Sequence, residues 1–131
     1  MAIDKSPEQV IYDAVFRVSA QLGYDTFTYL PSERVKYPFV FIGEVFTEDR
    51  HNKTGVFGDV MVSVHVFHSY KKRAEVTEML NQIKYRFYEM KKAENLYLRL
   101  RNGNIELMID DTEAPNVLLH GLMDLNFTFN Y

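Results

Sequence analysis

The 131-residue chain contains no cysteine. Disulfide bridges, thiolate catalysis and cysteine-ligated zinc are therefore excluded, and the chain is compatible with a reducing compartment. No apolar run approaches the roughly 18 residues that a spanning helix needs. The opening MAIDKSPEQ lacks a basic flank followed by an apolar core, so a soluble, non-secreted protein is the expectation. Internal repeats, low-complexity tracts and linker-like stretches are also missing, which leads us to expect one domain over 1–131, long enough to bury roughly two thirds of its unfolded surface. Excess positive charge is absent as well. With a formal net charge of -3, bulk electrostatics do not favour non-specific adhesion to nucleic acid, and Lys71, Lys72 and Arg73 read first as a solvated first helical turn, with a contact to a partner or DNA as the alternative.

What the chain has in quantity is aromatic side chains, nine tyrosines and ten phenylalanines. Such residues are enriched in well-packed interfaces, which favours an oligomer. The organising stretch runs from Phe57 to Met90. Val60, Val62, Val64 and Val66 alternate on one face of a strand, with Asp59, Met61, Ser63, His65 and Phe67 on the other. The period then changes to that of a helix whose stripe is Val76, Leu80, Ile83, Phe87 and Met90, and whose start is expected near Ser69 or Tyr70. A first helix is signalled by Ser6-Pro7-Glu8-Gln9 as cap and opening turn, by an apolar face of Val10, Ile11, Ala14, Val15, Val18 and Leu22, and by Gly23 as its stop.

Between these elements, Thr26-Phe27-Thr28-Tyr29 allows a short strand. Phe39 to Phe46 is apolar on both sides, as expected of a strand covered on both faces or on one face by a neighbouring subunit, and Gly43 marks a bulge or a close backbone approach. Thr47 to Gly55 is polar throughout and longer than a tight hairpin requires, so either a mobile arm that orders on a partner or a plain solvent loop is expected there. Leu96 to Leu100 and Ile105 to Ile109 read as two strands around a turn at Arg101-Asn102-Gly103-Asn104. In the closing segment, Met123, Leu125, Phe127, Phe129 and Tyr131 share one face of a final strand. The predicted class is α+β, a largely antiparallel or mixed β-sheet with two α-helices packed on one face. The opposite face is too aromatic to be left wholly wet.

No reaction chemistry stands out. His65 and His68 lie three apart in a strand and so project to opposite sides, and no nucleophile and oxyanion site accompanies either. His51 and His120 read as isolated surface or turn residues. Asp110, Asp111 and Glu113 offer oxygen ligands but lack calcium-loop spacing, and TGVFG has neither the length nor the lysine of a phosphate-binding loop. The expectation is no cofactor, no metal and no catalytic residue. The rival is a small metal-dependent hydrolase using His65 or His68 with Glu44, Asp59 or the Asp110-Asp111 pair.

Taken together, Tyr37-Pro38-Phe39-Val40-Phe41-Ile42-Gly43-Glu44, the later Lys53-Thr54-Gly55, and Val64-His65-Val66-Phe67-His68-Ser69-Tyr70 followed by Lys72-Arg73-Ala74-Glu75-Val76 resemble the tail-completion or tail-terminator proteins of long-tailed bacteriophages, also described as head-to-tail joining proteins. The family's usual valine-tryptophan-serine is replaced here by Phe67-His68-Ser69, and Lys72 stands where a glycine is usual. The resemblance implies a non-enzymatic subunit, made in the host cytoplasm and located in the virion at the head-tail junction. There it would form a hexameric ring on the head-proximal end of the tail tube, contacting tube protein and head-tail connector, with DNA passing through without sequence-specific binding and no membrane involved. A head-side neck or connector component is the alternative within structural proteins. Under this reading the candidate oligomer or docking surface comprises Phe41, Met61 and Phe67, the arm residues Glu48, Asp49, Arg50, His51, Asn52, Lys53 and Thr54, and Phe127 and Phe129 of the last strand.

Overall fold

A computed structural model of the chain describes residues 5–32, 35–52 and 55–130, with backbone alone at 51, 52, 55 and 56. Helix α1 (Pro7–Gln21) begins where expected, because the Ser6 hydroxyl accepts the Gln9 amide at 3.4 Å and Pro7 needs no donor in the first turn. Gly23 ends it at a φ of 91°, a left-handed conformation that suits a residue without Cβ. Strands β1 (Thr26–Phe27), β2 (Phe39–Asn52) and β3 (Gly55–Ser69) follow, then helix α2 (Arg73–Glu89), and β4 (Lys92–Ala93), β5 (Leu96–Glu113) and β6 (Asn116–Asn130). The sheet order is β1-β2-β3-β6-β5-β4. Only β1 and β2 are parallel; every other neighbouring pair is antiparallel.

The period-2 pattern of β3 separates the two faces of this sheet. Val60, Val62, Val64 and Val66 are all buried, together with Val40 and Ile42 of β2 and Met123, Leu125, Phe127 and Phe129 of β6. Ile11 and Val15 of α1 and Val76, Leu80, Ile83 and Phe87 of α2 are buried in the same core cluster. The architecture is thus the expected α+β layer, two helices against a largely antiparallel sheet.

Four local expectations change. The described residues of the polar stretch, 47–52 and 55, are strand: the β2–β3 ladder continues through Thr47↔Val60, Asp49↔Gly58 and Arg50↔Phe57 to Asn52↔Gly55. The neighbouring β6 runs alongside β3 as far as Phe57↔Asn130, so backbone pairing on a ready edge overrides polar composition. The turn expected at 101–104 is a bulge. Asn102, Gly103 and Asn104 pair with Asn126, Leu125 and Asp124, and the register slips once, between Leu100 and Asn102. A continuous partner in β6 keeps β5 extended, and the extra residue is absorbed without a reversal. Helix α2 starts at Arg73, later than expected, because β3 stays paired with β6 to Ser69↔Leu118 and the Tyr70 amide still reaches the Val117 carbonyl at 3.3 Å. Finally, Phe127 and Phe129, expected at an interface, are 1% and 3% exposed beneath the helices. Tyr131, placed on the same face, lies outside the described residues.

Gly43 fits both readings given to it. The β2–β3 register shifts between Ile42 and Val45, and a Cβ at Gly43 would stand 2.9 Å from the His65 imidazole.

Candidate interaction surface on the open sheet face

On the face away from the helices, alternate residues of four strands form rows across the sheet. Phe39, Phe67, His120 and Met108 make one row, and Phe41, His65, Leu122 and Glu106 the next. The rings of these rows stack in a continuous series. Phe39 lies 5.2 Å from Phe67, Phe67 is 4.3 Å from His120, His120 is 5.0 Å from His65, and His65 is 5.2 Å from Phe41, with interplanar angles of 13° to 29°. Offset stacks of this kind add to plain area burial.

A polar relay runs through the same rings. His65 Nε2 lies 3.1 Å from Glu44 Oε2, and His65 Nδ1 lies 2.7 Å from His120 Nε2. An ionised carboxylate only accepts, so His65 donates from Nε2 and, when neutral, accepts at Nδ1 the proton of His120 Nε2. His65 is 9% exposed. The hydrogen bond from His65 is the largest influence holding the Glu44 carboxyl below its ordinary range. Burial holds His120 below the ordinary imidazole value, and His65 acts the same way, against the opposite pull of Asp110, Glu44 and Glu106. Beside this relay Ser63 Oγ donates to Asp124 Oδ1 at 2.7 Å, so its proton is directed away from His65 and no Ser-His couple forms.

The sign of the pH dependence follows from those directions. The unfolded chain protonates His120 more readily than the folded protein does, so stability is full above about pH 6.5 and declines as pH falls from there toward the lower folded value. Glu44 extends the decline below about pH 4.3, by less than about 1 kcal/mol because its side chain is largely exposed and solvent screens it. Urea unfolding at pH 7.5 and pH 5.5 is expected to show lower stability at pH 5.5, and His120→Phe is expected to flatten that difference. An equal slope in wild type and variant would count against this account.

His68 projects to the opposite face, as its spacing from His65 required. It accepts the Ser69 amide at Nδ1, at 2.8 Å, and donates from Nε2 to Glu75 in the first turn of α2. That bond, first among its causes, lowers the Glu75 pKa. Asp59 pairs with Arg50 at 2.7 Å, and Asp110 accepts the Thr112 hydroxyl and amide at 2.7 and 3.0 Å, bonds that hold its pKa down. Asp110 and Glu113 rim a groove of about 260 Å3 floored by Tyr37, Phe39, Phe67 and Leu118. The residues of the hydrolase reading are therefore dispersed, Glu44 and His65 excepted. Among the described residues no group of three or more His, Asp or Glu side chains is placed to share a metal ion.

The remaining candidate residues fall as follows. Phe41, Met61 and Phe67 are half-buried on the open face, and Glu48, Asp49 and Arg50 are exposed on the outer half of β2. His51 and Asn52 pair through backbone with Val56 and Gly55. Lys53 and Thr54 lie outside the described residues. Sequence reading missed His120, 55 positions from His65 in the chain; the one available signal was that alternation from Met123 puts His120 on the polar side of the last strand.

No protein-family model and no curated protein sequence matches the chain. Solved structures do. A chain of the virion of the native gene transfer agent (GTA) particle superposes with a TM-score of 0.61 at 14% identity, covering 91% of this chain and 90% of that one. The fold is shared with a virion chain. At that identity the likeness is one of architecture.

Proposed function

We propose that the protein is a non-enzymatic virion structural subunit that forms a hexameric ring on the head-proximal end of a phage tail tube and joins the tail to the head connector. The observation that carries this reading is a sheet with one face sealed by helices and the other free of them, where half-buried Phe41, Phe67 and His120 join a ring stack anchored on buried Phe39 and His65, in a fold shared with a virion chain. Exposed aromatic groups such as Phe46, at 63%, add area that a subunit contact would remove from water. Closing a ring requires two different surfaces of each copy to meet. The acidic balance of the chain suits a passage through which DNA slides without being gripped.

Light scattering across a concentration series, with negative-stain imaging of the same sample, is expected to give particles of six times the 15.4 kDa subunit mass. Co-sedimentation with purified tail tubes is expected to retain the protein, and isolated head connectors separate tail capping from a neck role. Retention by connectors alone would replace the capping reading with the head-side one. A particle that binds neither would end both.

A further inference from the structure

The two outer edges of the sheet are uncovered together over a short run of rows, Val45 to Glu48 of β2 against Arg99 to Gly103 of β5, and in those rows they carry opposite charge, although β5 turns acidic further on at Glu106, Asp110, Asp111 and Glu113. On one side, β1 covers β2 only at Val40 and Phe41, and the Tyr12 hydroxyl donates to the Ile42 carbonyl at 3.2 Å. On the other, β4 covers β5 only at Leu96 and Tyr97, and the Leu98 amide donates to the Lys91 carbonyl at 3.0 Å. Past these caps, no described strand pairs with the outer side of β2 from Val45 onward or of β5 from Arg99 onward. The strands have 14 and 18 residues, well beyond the usual five or six. Long uncovered edges present rows of unpaired amides and carbonyls that template further pairing.

Reading across the ladders, Phe46 stands in the row of Met61, Asn126 and Asn102, and Glu48 in the row of Asp59, Thr128 and Arg99. The β2 edge thus presents Glu48 at the level where the β5 edge presents Arg99; Asp49 stands in the row of Leu98, and Arg101 lies in the bulge between the rows of Phe46 and Thr47. Lys84 of α2 adds its amine beside that edge, 3.5 Å from the Gly103 carbonyl. Among the described residues Glu48, Asp49, Arg99 and Arg101 have no ion-pair partner within the chain. Three successive antiparallel pairings also make β2 and β5 run in opposite directions, so a copy shifted sideways by one sheet width lays its β5 antiparallel beside β2.

We propose that β2 of one copy pairs with β5 of the next over the rows uncovered in both, Val45–Glu48 against Arg99–Gly103, with Glu48 opposite Arg99 and the β1 and β4 caps bounding the contact at its two ends. The proposal rests on the ring reading and names its contact: two different edges meet, which is the heterologous contact a ring needs. Opposite charges at the junction select this register, and a like-charge alignment is disfavoured.

The absence of cysteine permits a clean test with the double variant Phe46→Cys, Asn102→Cys. Within one chain these positions sit three strand spacings apart, about 14 Å, beyond the roughly 7 Å that a disulfide spans. Any bridge between them therefore joins two copies. Mild oxidation is expected to give covalent oligomers ending in one closed species, whereas either single variant stops at dimers. No product above the single-variant background overturns the edge pairing, and a ring mass for the wild type in that case leaves the ring reading standing on another contact. An unbounded ladder keeps the edge pairing and overturns the closed ring. As a second arm, Glu48→Arg is expected to weaken association roughly tenfold or more, and Arg99→Glu in the same chain to restore it. Failure of that rescue, with both proteins folded by circular dichroism, removes the Glu48–Arg99 register.

Discussion

Phe127→Ala is expected to lower folding stability by about 3–5 kcal/mol, the usual cost of emptying a buried aromatic site. The ring of Phe127 is 1% exposed and meets Phe87 of α2 edge to face, with centroids 5.2 Å apart at 79°. Removing it forfeits both the transfer of apolar area and the contacts of the walls around it, since a strand and a helix fixed at both ends collapse little into the void. For a chain of this size the loss corresponds to a fall in Tm of roughly 10–20 °C. Phe46→Ala supplies the contrast. Its side chain is on the same sheet but largely exposed, so the change in stability is expected within about 0.5 kcal/mol and the effect to fall on association. Thermal unfolding followed by circular dichroism reads both. A Phe127→Ala protein as stable as wild type but unable to assemble would return Phe127 to an interface.

Gly121→Val is expected to be the other severe substitution. Gly121 lies in β6 between Val66 and Leu107 of the flanking strands, directly under α2. A Cβ there would stand 2.6 Å from Val76 Cγ1, 2.9 Å from Leu80 Cδ1 and 3.3 Å from Leu107 Cδ2. Val76 and Leu80 are themselves fully buried, so neither has room to swing aside. Relief requires the helix to lift off the sheet, and the cost is at or above the usual 1–3 kcal/mol of overpacking once the two γ-methyls are counted. Gly103→Ala separates crowding from loss of glycine as such. Its added Cβ would meet Lys84 Cδ at 2.7 Å, the far part of a flexible side chain that can move, and buried Leu125 Cδ2 at 3.2 Å, which needs to give by only a few tenths of an ångström. Urea midpoints are expected to fall sharply for Gly121→Val and little for Gly103→Ala, with unchanged slopes. Similar midpoints for the two would show that α2 does not bear on β6 as described.

The physical origin of what was readable in the sequence is the match between side-chain period and local geometry. Val60 to Val66 alternate because one strand face is sealed, and Val76, Leu80, Ile83 and Phe87 recur at helical spacing for the same reason. Composition misled at 47–52 and 101–104. Polar and glycine-containing segments score as loops when a strand is imagined alone, yet each lies beside a neighbour able to accept its backbone hydrogen bonds. Phe127 and Phe129 were correctly placed on one face of the last strand; alternation says which residues share a face and is silent on what covers it.

The candidate surface was partly legible. His65, Met61 and Phe67 followed from their alternation against the valines, and the opposite projection of His65 and His68 from their odd spacing. The stack of His120 between Phe67 and His65, the Ser63–Asp124 bond and the level alignment of Glu48 with Arg99 join residues tens of positions apart, and they exist only once strand order and register are set.

By itself, then, the sequence determined the two helices and the alternating strands, the cap and stop of the first helix, the sealed face of β3 and the absence of thiol chemistry, because each depends on neighbours in the chain. Tertiary structure alone decided that β5 is one strand, that β6 lies between β3 and β5, which face the helices cover, and which edges stay open. Those features depend on pairing energies between distant segments, which one-dimensional periodicity does not encode.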